Sequence, residues 1–238
     1  MKSYRRLIFR TLTVASIFGS SVAFAQSTAS TAAKAVVAVT AAAANTAPSC
    51  TLMDPQVFTQ NAVDQVLGIL AKDKTVIGSN FSVVQQDIQG VLSPIIGIEI
   101  MSKFVVPSTI WAAAASSDQL AFEDAFLQFN INLYSTPLKD FANQTIEVYS
   151  SRVDWTTQSR VQINSVIHNP AAGPGADIPV SFILQKNGCS WLFIDFVVDN
   201  ISALANIQQQ IQAILQNLQT PGLAALTAVI AKHNASTS

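Results

Sequence analysis

The chain has 238 residues, with 13 Lys plus Arg against 14 Asp plus Glu, and only 11% of it is charged, against about one quarter in ordinary soluble domains. Nothing in that balance offers the basic footprint of a nucleic-acid binder. Half of the residues are hydrophobic, and the polar positions are filled mostly by Gln, Asn, Ser and Thr.

The amino terminus reads as an export signal. Lys2, Arg5, Arg6 and Arg10 precede the short apolar run "LTVASIFGSSVAFA", which ends in Ala23-Phe24-Ala25 ahead of Gln26. A basic start, a short apolar core and an A-x-A end are the pattern of a cleaved signal peptide over residues 1–25, too short to span a bilayer. Cleavage removes four of the 13 basic residues, leaving nine against 14 acidic ones and a net charge of −5. Residues 26–49 are Ala, Ser, Thr and Val in low complexity and read as a flexible leader. A single domain over 50–234 and a short tail at 235–238 follow; about 185 residues suffice for a substantial core.

Two cysteines, Cys50 and Cys189, are an even count compatible with one disulfide in an exported protein. Such a bridge would tie the start of the domain to its last strand, and a loop that long gains about 4–5 kcal/mol in the chain-entropy model. Two separate thiols are the alternative.

The first half has helical periodicity. Asp54-Pro55 gives an N-cap and a proline at N1, followed by Val63, Val66, Leu67 and Leu70. A second helix starts near Phe81 with Val84, Ile88, Val91 and Leu92, and Pro94 must kink or end it. "GIEIMSKFVVPSTIW" predicts short apolar helices. A further helix, capped by Ser116 or Ser117, carries Phe122, Ala125, Phe126, Phe129 and Leu133 as one wide stripe.

The period then shortens. "TIEVYSSRVD", "SRVQINSVIHN", "DIPVSFILQKN" and "CSWLFIDFVVDN" are four strand candidates, with Asn187-Gly188 predicting a type I′ hairpin between the last two. In the last strand strict alternation would put Trp191, Phe193 and Val197 on one face and Leu192, Ile194, Phe196 and Val198 on the other, so both faces need cover. Helical stripes return at Leu204, Ile207, Ile211, Ile214, Leu215 and Leu218, and in a final helix from Pro221. Helices, then an antiparallel sheet of about four strands, then helices predict an α+β fold.

Catalytic signals are sparse. The histidines His168 and His233 form no H-x-x-x-H or H-E-x-x-H pattern, and no C-x-x-C, G-x-S-x-G or Gly-rich phosphate loop occurs. No metal site or cofactor is expected. Asp195, among Phe193, Ile194 and Phe196, is the one candidate acid or base. It would have a raised pKa if unpaired, as in a small cone-shaped isomerase or dehydratase. The plainer reading is a carboxylate bonded to a helix N-terminus or a turn. The surplus of apolar stripes fits either a core with helices on both sheet faces or a cavity for an apolar ligand.

Residues 121–148, "AFEDAFLQFNINLYSTPLKDFANQTIEV", and "GCSWLFIDFVVDNISALANIQQQIQAIL" resemble the MlaC family, also called the toluene-tolerance auxiliary family. The likeness rests on an F-x-x-x-F helix leading into Tyr and the first strand, a Trp-x-x-x-Asp strand, and a turn with Ser opening a helix. Trp191, Asp195, Ile201, Ser202 and Asn206 fall on the matching positions, and "TPGLAALTAVIAKHN" matches the closing helix. Asn200 stands where the family usually has Gly, which predicts an altered turn; Ile207-Gln208 stands where Tyr-Arg is common.

The resemblance implies a non-enzymatic periplasmic phospholipid carrier that shuttles lipid between an outer-membrane lipoprotein complex and an inner-membrane ABC transporter with a membrane-anchored substrate-binding subunit. That traffic maintains outer-membrane lipid asymmetry; a hopanoid is the alternative cargo. The resemblance places the tail pocket between sheet and helices, with Val180, Phe182, Leu184 and Ile201 on the sheet side and Phe126, Phe129, Ile95 and Ile207 as helical walls.

Overall fold

The computed structural model describes residues 51–72, 81–138, 144–151, 154–168 and 177–237. The expected signal peptide, the leader and Cys50 lie outside them. Helix α1, Pro55–Lys72, opens as its sequence dictates: the Gln56 amide donates to Asp54 Oδ1 at 2.7 Å, satisfying one of the orphan donors of the first turn. Helix α2 runs over Phe81–Leu92 and passes into a 3₁₀ turn at Ser93–Ile95 that contains Pro94, because proline cannot continue the α-helical ladder. Two short helices, α3 (Ile98–Val105) and α4 (Ser108–Ala113), lead to the long α5 (Ser116–Leu138).

The sheet is an antiparallel meander, β1 (Thr145–Val148), β2 (Arg160–His168), β3 (Ile178–Asn187), β4 (Ser190–Val198) and β5 (Ile201–Ser202), in that spatial order. Helices α6 (Ala203–Asn217) and α7 (Leu223–Thr237) close the chain. The α+β architecture is the expected one, with three local differences. The first strand stops at Val148, and a 3₁₀ turn at Trp155–Thr157 follows, capped where Asp154 Oδ1 accepts from the Thr156 amide at 3.0 Å. A fifth strand is present, too short to announce itself by periodicity. The last helix begins at Leu223 rather than Pro221.

The β3–β4 turn also differs. Asn187 pairs with Ser190, so the two loop residues are Gly188 and Cys189. Of these only Gly188 has positive φ, 58°, the pattern of a type II′ rather than a type I′ turn. The type I′ pattern appears instead between β4 and β5. There Val198 pairs with Ile201, and Asp199 and Asn200 have φ of 51° and 65°. Asn is among the side chains that adopt this conformation most readily, so Asn200 can hold the positive φ that this turn requires.

The decisive irregularity lies in β4. Ile183 pairs with Asp195 and Leu184 with Phe193, leaving Ile194 as an extra residue in a β-bulge. A bulge shifts the alternation by one. Trp191, Phe193, Phe196 and Val198 therefore share the face of Val180, Phe182 and Leu184, while Ile194 packs with Ile183 on the other. Neither of the two faces expected from strict alternation is right, and no glycine or proline marks the break.

Helices cover both faces. On one, α1 and α2 pack on the strands. On the other, Ile183 and Ile194 meet a cluster from α3 to α7 whose spine is the stacked series Phe122, Phe126 and Phe129, with ring centroids 5.5 and 6.4 Å apart. The 3₁₀ segment closes the β4 edge where β5 ends: the Gly97 amide donates to the Phe193 carbonyl at 2.8 Å, and Ile96 bridges Phe193 in parallel.

Candidate functional site

The α1–α2 face divides into two apolar zones that share Leu67, Ile146 and Phe182. One is sealed. Ile163, Leu184 and Trp191 have no exposure. The rings of Phe58 and Phe182 each approach Phe193, at 5.3 and 5.6 Å, and Trp155 stands edge-on to Trp191 at 6.4 Å. Trp191 Nε1 donates to the Met53 carbonyl at 2.9 Å, giving the buried indole the partner it requires and fixing the start of α1. Cys189, two residues before Trp191, is disulfide-bonded.

The second zone is mainly aliphatic. Leu70, Val84, Ile88, Ile167, Val180 and Val198 are buried at its floor and roof, but Val66, Leu67, Ile69, Leu92, Ile146, Ile178, Phe182 and Phe196 around them are only partly covered. Its one buried polar sheet residue, Ser165, is satisfied, its hydroxyl donating to the Val180 carbonyl at 2.9 Å. The zone presents apolar surface of the kind that suits hydrocarbon.

The expected site residues are not gathered in one place. Val180 and Phe182 stand in the aliphatic zone, and Leu184 is buried in the aromatic one. Phe126, Phe129 and Ile207 belong to the cluster on the opposite sheet face. Ile95 is half-buried in the 3₁₀ turn, and Ile201 is 44% exposed in β5. The helical wall facing Val180 and Phe182 comes from α1 and α2. Their stripes at Val66, Leu67 and Leu70 and at Val84, Ile88 and Leu92 are visible in the sequence, but nothing local says which face of the sheet they cover.

Asp195 is a structural cap. Its Oδ2 accepts from the Ser202 hydroxyl at 2.6 Å, its Oδ1 from the Leu204 amide at 2.9 Å, and Ser202 Oγ accepts from the Ala205 amide at 2.9 Å. The two side chains satisfy the amino end of α6 and place negative charge there, where the helix dipole favours it. Burial, and then the charge of Asp195, push the Tyr134 hydroxyl far above the ordinary tyrosine range, so Tyr134 stays neutral beside Phe196, whose ring lies 4.7 Å away edge-on.

Among the described residues no group of three or more His, Cys, Asp or Glu could hold a metal ion, and no helix is long and apolar enough to cross a membrane. A small apolar crevice opens elsewhere, between α5, α6 and α7, lined by Phe129, Ile207, Gln210, Ile211, Ile214, Val229, Ile230 and His233.

Known proteins share this architecture. A phospholipid-binding protein from Ralstonia solanacearum, solved in complex with a phospholipid, superposes with a TM-score of 0.67 at 20% identity, over 78% of this chain and 99% of that one. The toluene tolerance protein ttg2D of Pseudomonas putida is 22% identical over 148 residues, 62% of this chain and 66% of that protein. Residues 60–232 match the MlaC protein family, and the chain belongs to that family.

Proposed function

We propose that this protein is a non-enzymatic carrier of phospholipid in the periplasm, exported by its 1–25 signal peptide, with a flexible leader over 26–49 and one lipid-binding domain over 50–234. The observation that carries the reading is the row of half-buried apolar side chains between α1, α2 and the sheet, in a chain of the MlaC family. The similarity to a protein solved with phospholipid supports the choice of ligand.

Physics requires such a sheath. Exposing a CH₂ group to water costs about 0.8 kcal/mol, so two acyl chains with about 30 of them cost about 24 kcal/mol. Val180, Phe182, Ile178 and Phe196 on the sheet and Leu67 and Leu92 on the helices form the tail-facing wall, and the head group stays in water. The carrier passes lipid between an outer-membrane lipoprotein complex and an inner-membrane ABC transporter with its membrane-anchored substrate-binding subunit, maintaining outer-membrane lipid asymmetry.

Native mass spectrometry of the protein purified from a periplasmic extract, followed by lipid extraction, tests the reading. A bound mass identified as phospholipid supports it. Folded protein without lipid overturns the carrier, and a hopanoid in place of phospholipid corrects the cargo.

A further inference from the structure

We infer that His168 is a proton-operated clamp on the sheet wall of the lipid groove, holding that wall closed when protonated and loosening it when neutral. The inference rests on the groove proposed above. His168 ends β2 and reaches a carboxylate on each side: Nε2 lies 3.3 Å from Glu147 Oε2 in β1, and Nδ1 lies 3.1 Å from Asp177 Oδ1, just ahead of β3. Three strands are thus joined through one ring.

The same three positions carry the groove on the other side of the sheet. Ile146 pairs with Ile167, and Ile167 with Ile178, in one row across β1, β2 and β3. All three belong to the aliphatic zone. Glu147, His168 and Asp177 are their immediate chain neighbours, and successive residues of a strand point to opposite faces. The clamp and the isoleucine row are two sides of one strip of backbone.

Only the imidazolium donates from both ring nitrogens; the neutral ring has one N–H and turns a lone pair toward the second carboxylate. Glu147 and Asp177 are the charged groups acting on the ring among the described residues, and Tyr149 Oη donates to Glu147 at 3.4 Å. The bonds to Asp177 and then Glu147 raise the proton affinity of His168 above the ordinary histidine value, outweighing its desolvation. The switch therefore works above the pH at which an ordinary histidine titrates.

Two measurements on the full chain test it. First, NMR follows the His168 ring and the methyls of Ile146, Ile167 and Ile178 from pH 5 to pH 9. A shared midpoint above that of an ordinary histidine is expected, falling to the ordinary value in Glu147→Gln/Asp177→Asn. Methyls that ignore the ring, or a ring midpoint at the ordinary value, overturn the clamp without reference to lipid. Second, transfer of an NBD-labelled phosphatidylethanolamine from the protein to phosphatidylcholine vesicles is timed over the same range. The wild-type rate should rise several-fold through the His168 midpoint, and His168→Gln should be fast and flat. Identical pH profiles in the two proteins overturn the coupling. Failure of the labelled lipid to load at any pH counts against the phospholipid reading instead, with the NMR result still deciding the clamp.

Discussion

The Ser202 hydroxyl donates to Asp195 Oδ2 at 2.6 Å across the β4–β5 turn, and this contact explains why the strand carries a carboxylate among aromatics. Trp191 and Asp195 are four residues apart and would face the same side of a regular strand. The bulge at Ile194 sends them to opposite sides. Trp191 then anchors the start of α1 while Asp195 caps α6. Asp195→Ala removes an acceptor from both Ser202 and Leu204, and losing such a cap costs about 1–2 kcal/mol. Urea unfolding should show that loss, with Ser202→Ala costing less and the double variant less than the sum of the two. Additive costs would mean that the residues do not act as one cap.

Gly97 makes the second prediction. A Cβ there would lie 2.8 Å from Ile194 Cγ2 and 3.3 Å from Leu192 Cβ, so the segment closing the β4 edge could not keep its approach. Gly97→Ala should destabilise by about 1–3 kcal/mol, the usual cost of overpacking. Ile194→Ala removes that Cγ2 methyl, so the double variant should lose less than the sum of the two single changes. Thermal unfolding of the four proteins measures it.

These two sites show how far the sequence can be read. The cap at Asp54 and the break at Pro94 depend on neighbours a few residues away, so local chemistry declares them. So do the stripes on the long helices, which the 3.6-residue period exposes. The bulge depends on the pairing of β4 with β3, and neither Ile194 nor Asp195 has the backbone freedom that would advertise it. Misreading one residue of register inverts half a strand, so the two expected faces of β4 were each half right. The expected site residues divide between the two sheet faces for a related reason. The stripes of α1, α2, α5 and α6 look alike in composition, and only the meander decides that Leu67 and Leu92, not Phe129 and Ile207, face Val180.

The hairpin cysteine gives the third prediction. Cys189 is disulfide-bonded, and we propose Cys50 as its partner. The bridge would reinforce the bond from Trp191 Nε1 to the Met53 carbonyl by fastening the same end of α1. Cys50→Ser/Cys189→Ser should lose about 2–4 kcal/mol, the usual worth of a disulfide. A reductant should impose the same loss on the wild type and none on the variant. Peptide mapping without reduction identifies the pair directly, and a Cys189 linked to a second molecule would refute the intramolecular bridge.

The fourth prediction separates the two sheet faces. Ile178 is partly buried in the aliphatic zone, so Ile178→Trp should fill the proposed groove and sharply reduce co-purified lipid while the protein stays folded. Phe129 is buried in the opposite cluster. Phe129→Leu should cost about 1 kcal/mol in packing and leave lipid occupancy unchanged. Native mass spectrometry reads both, and a lipid lost from Phe129→Leu but retained by Ile178→Trp would move the site to the other face.

The last prediction concerns stability and pH. His168 titrates above its ordinary 6.5 in the folded chain, whereas the unfolded chain titrates near that value. The folded state therefore holds the proton more tightly, and linkage fixes the sign. The stabilisation is fully present below about pH 6.5 and is lost as pH rises through the folded midpoint. The ring is over a third exposed, so solvent screening keeps the effect small. The comparison must therefore be made against His168→Gln, in which other titrations cancel. The urea midpoint of the wild type should exceed that of the variant at pH 5.5 and approach it at pH 8.5, with the difference shrinking in high salt. A difference that grows with pH would reverse the sign and show that the neutral ring, not the imidazolium, is the form that the folded sheet prefers.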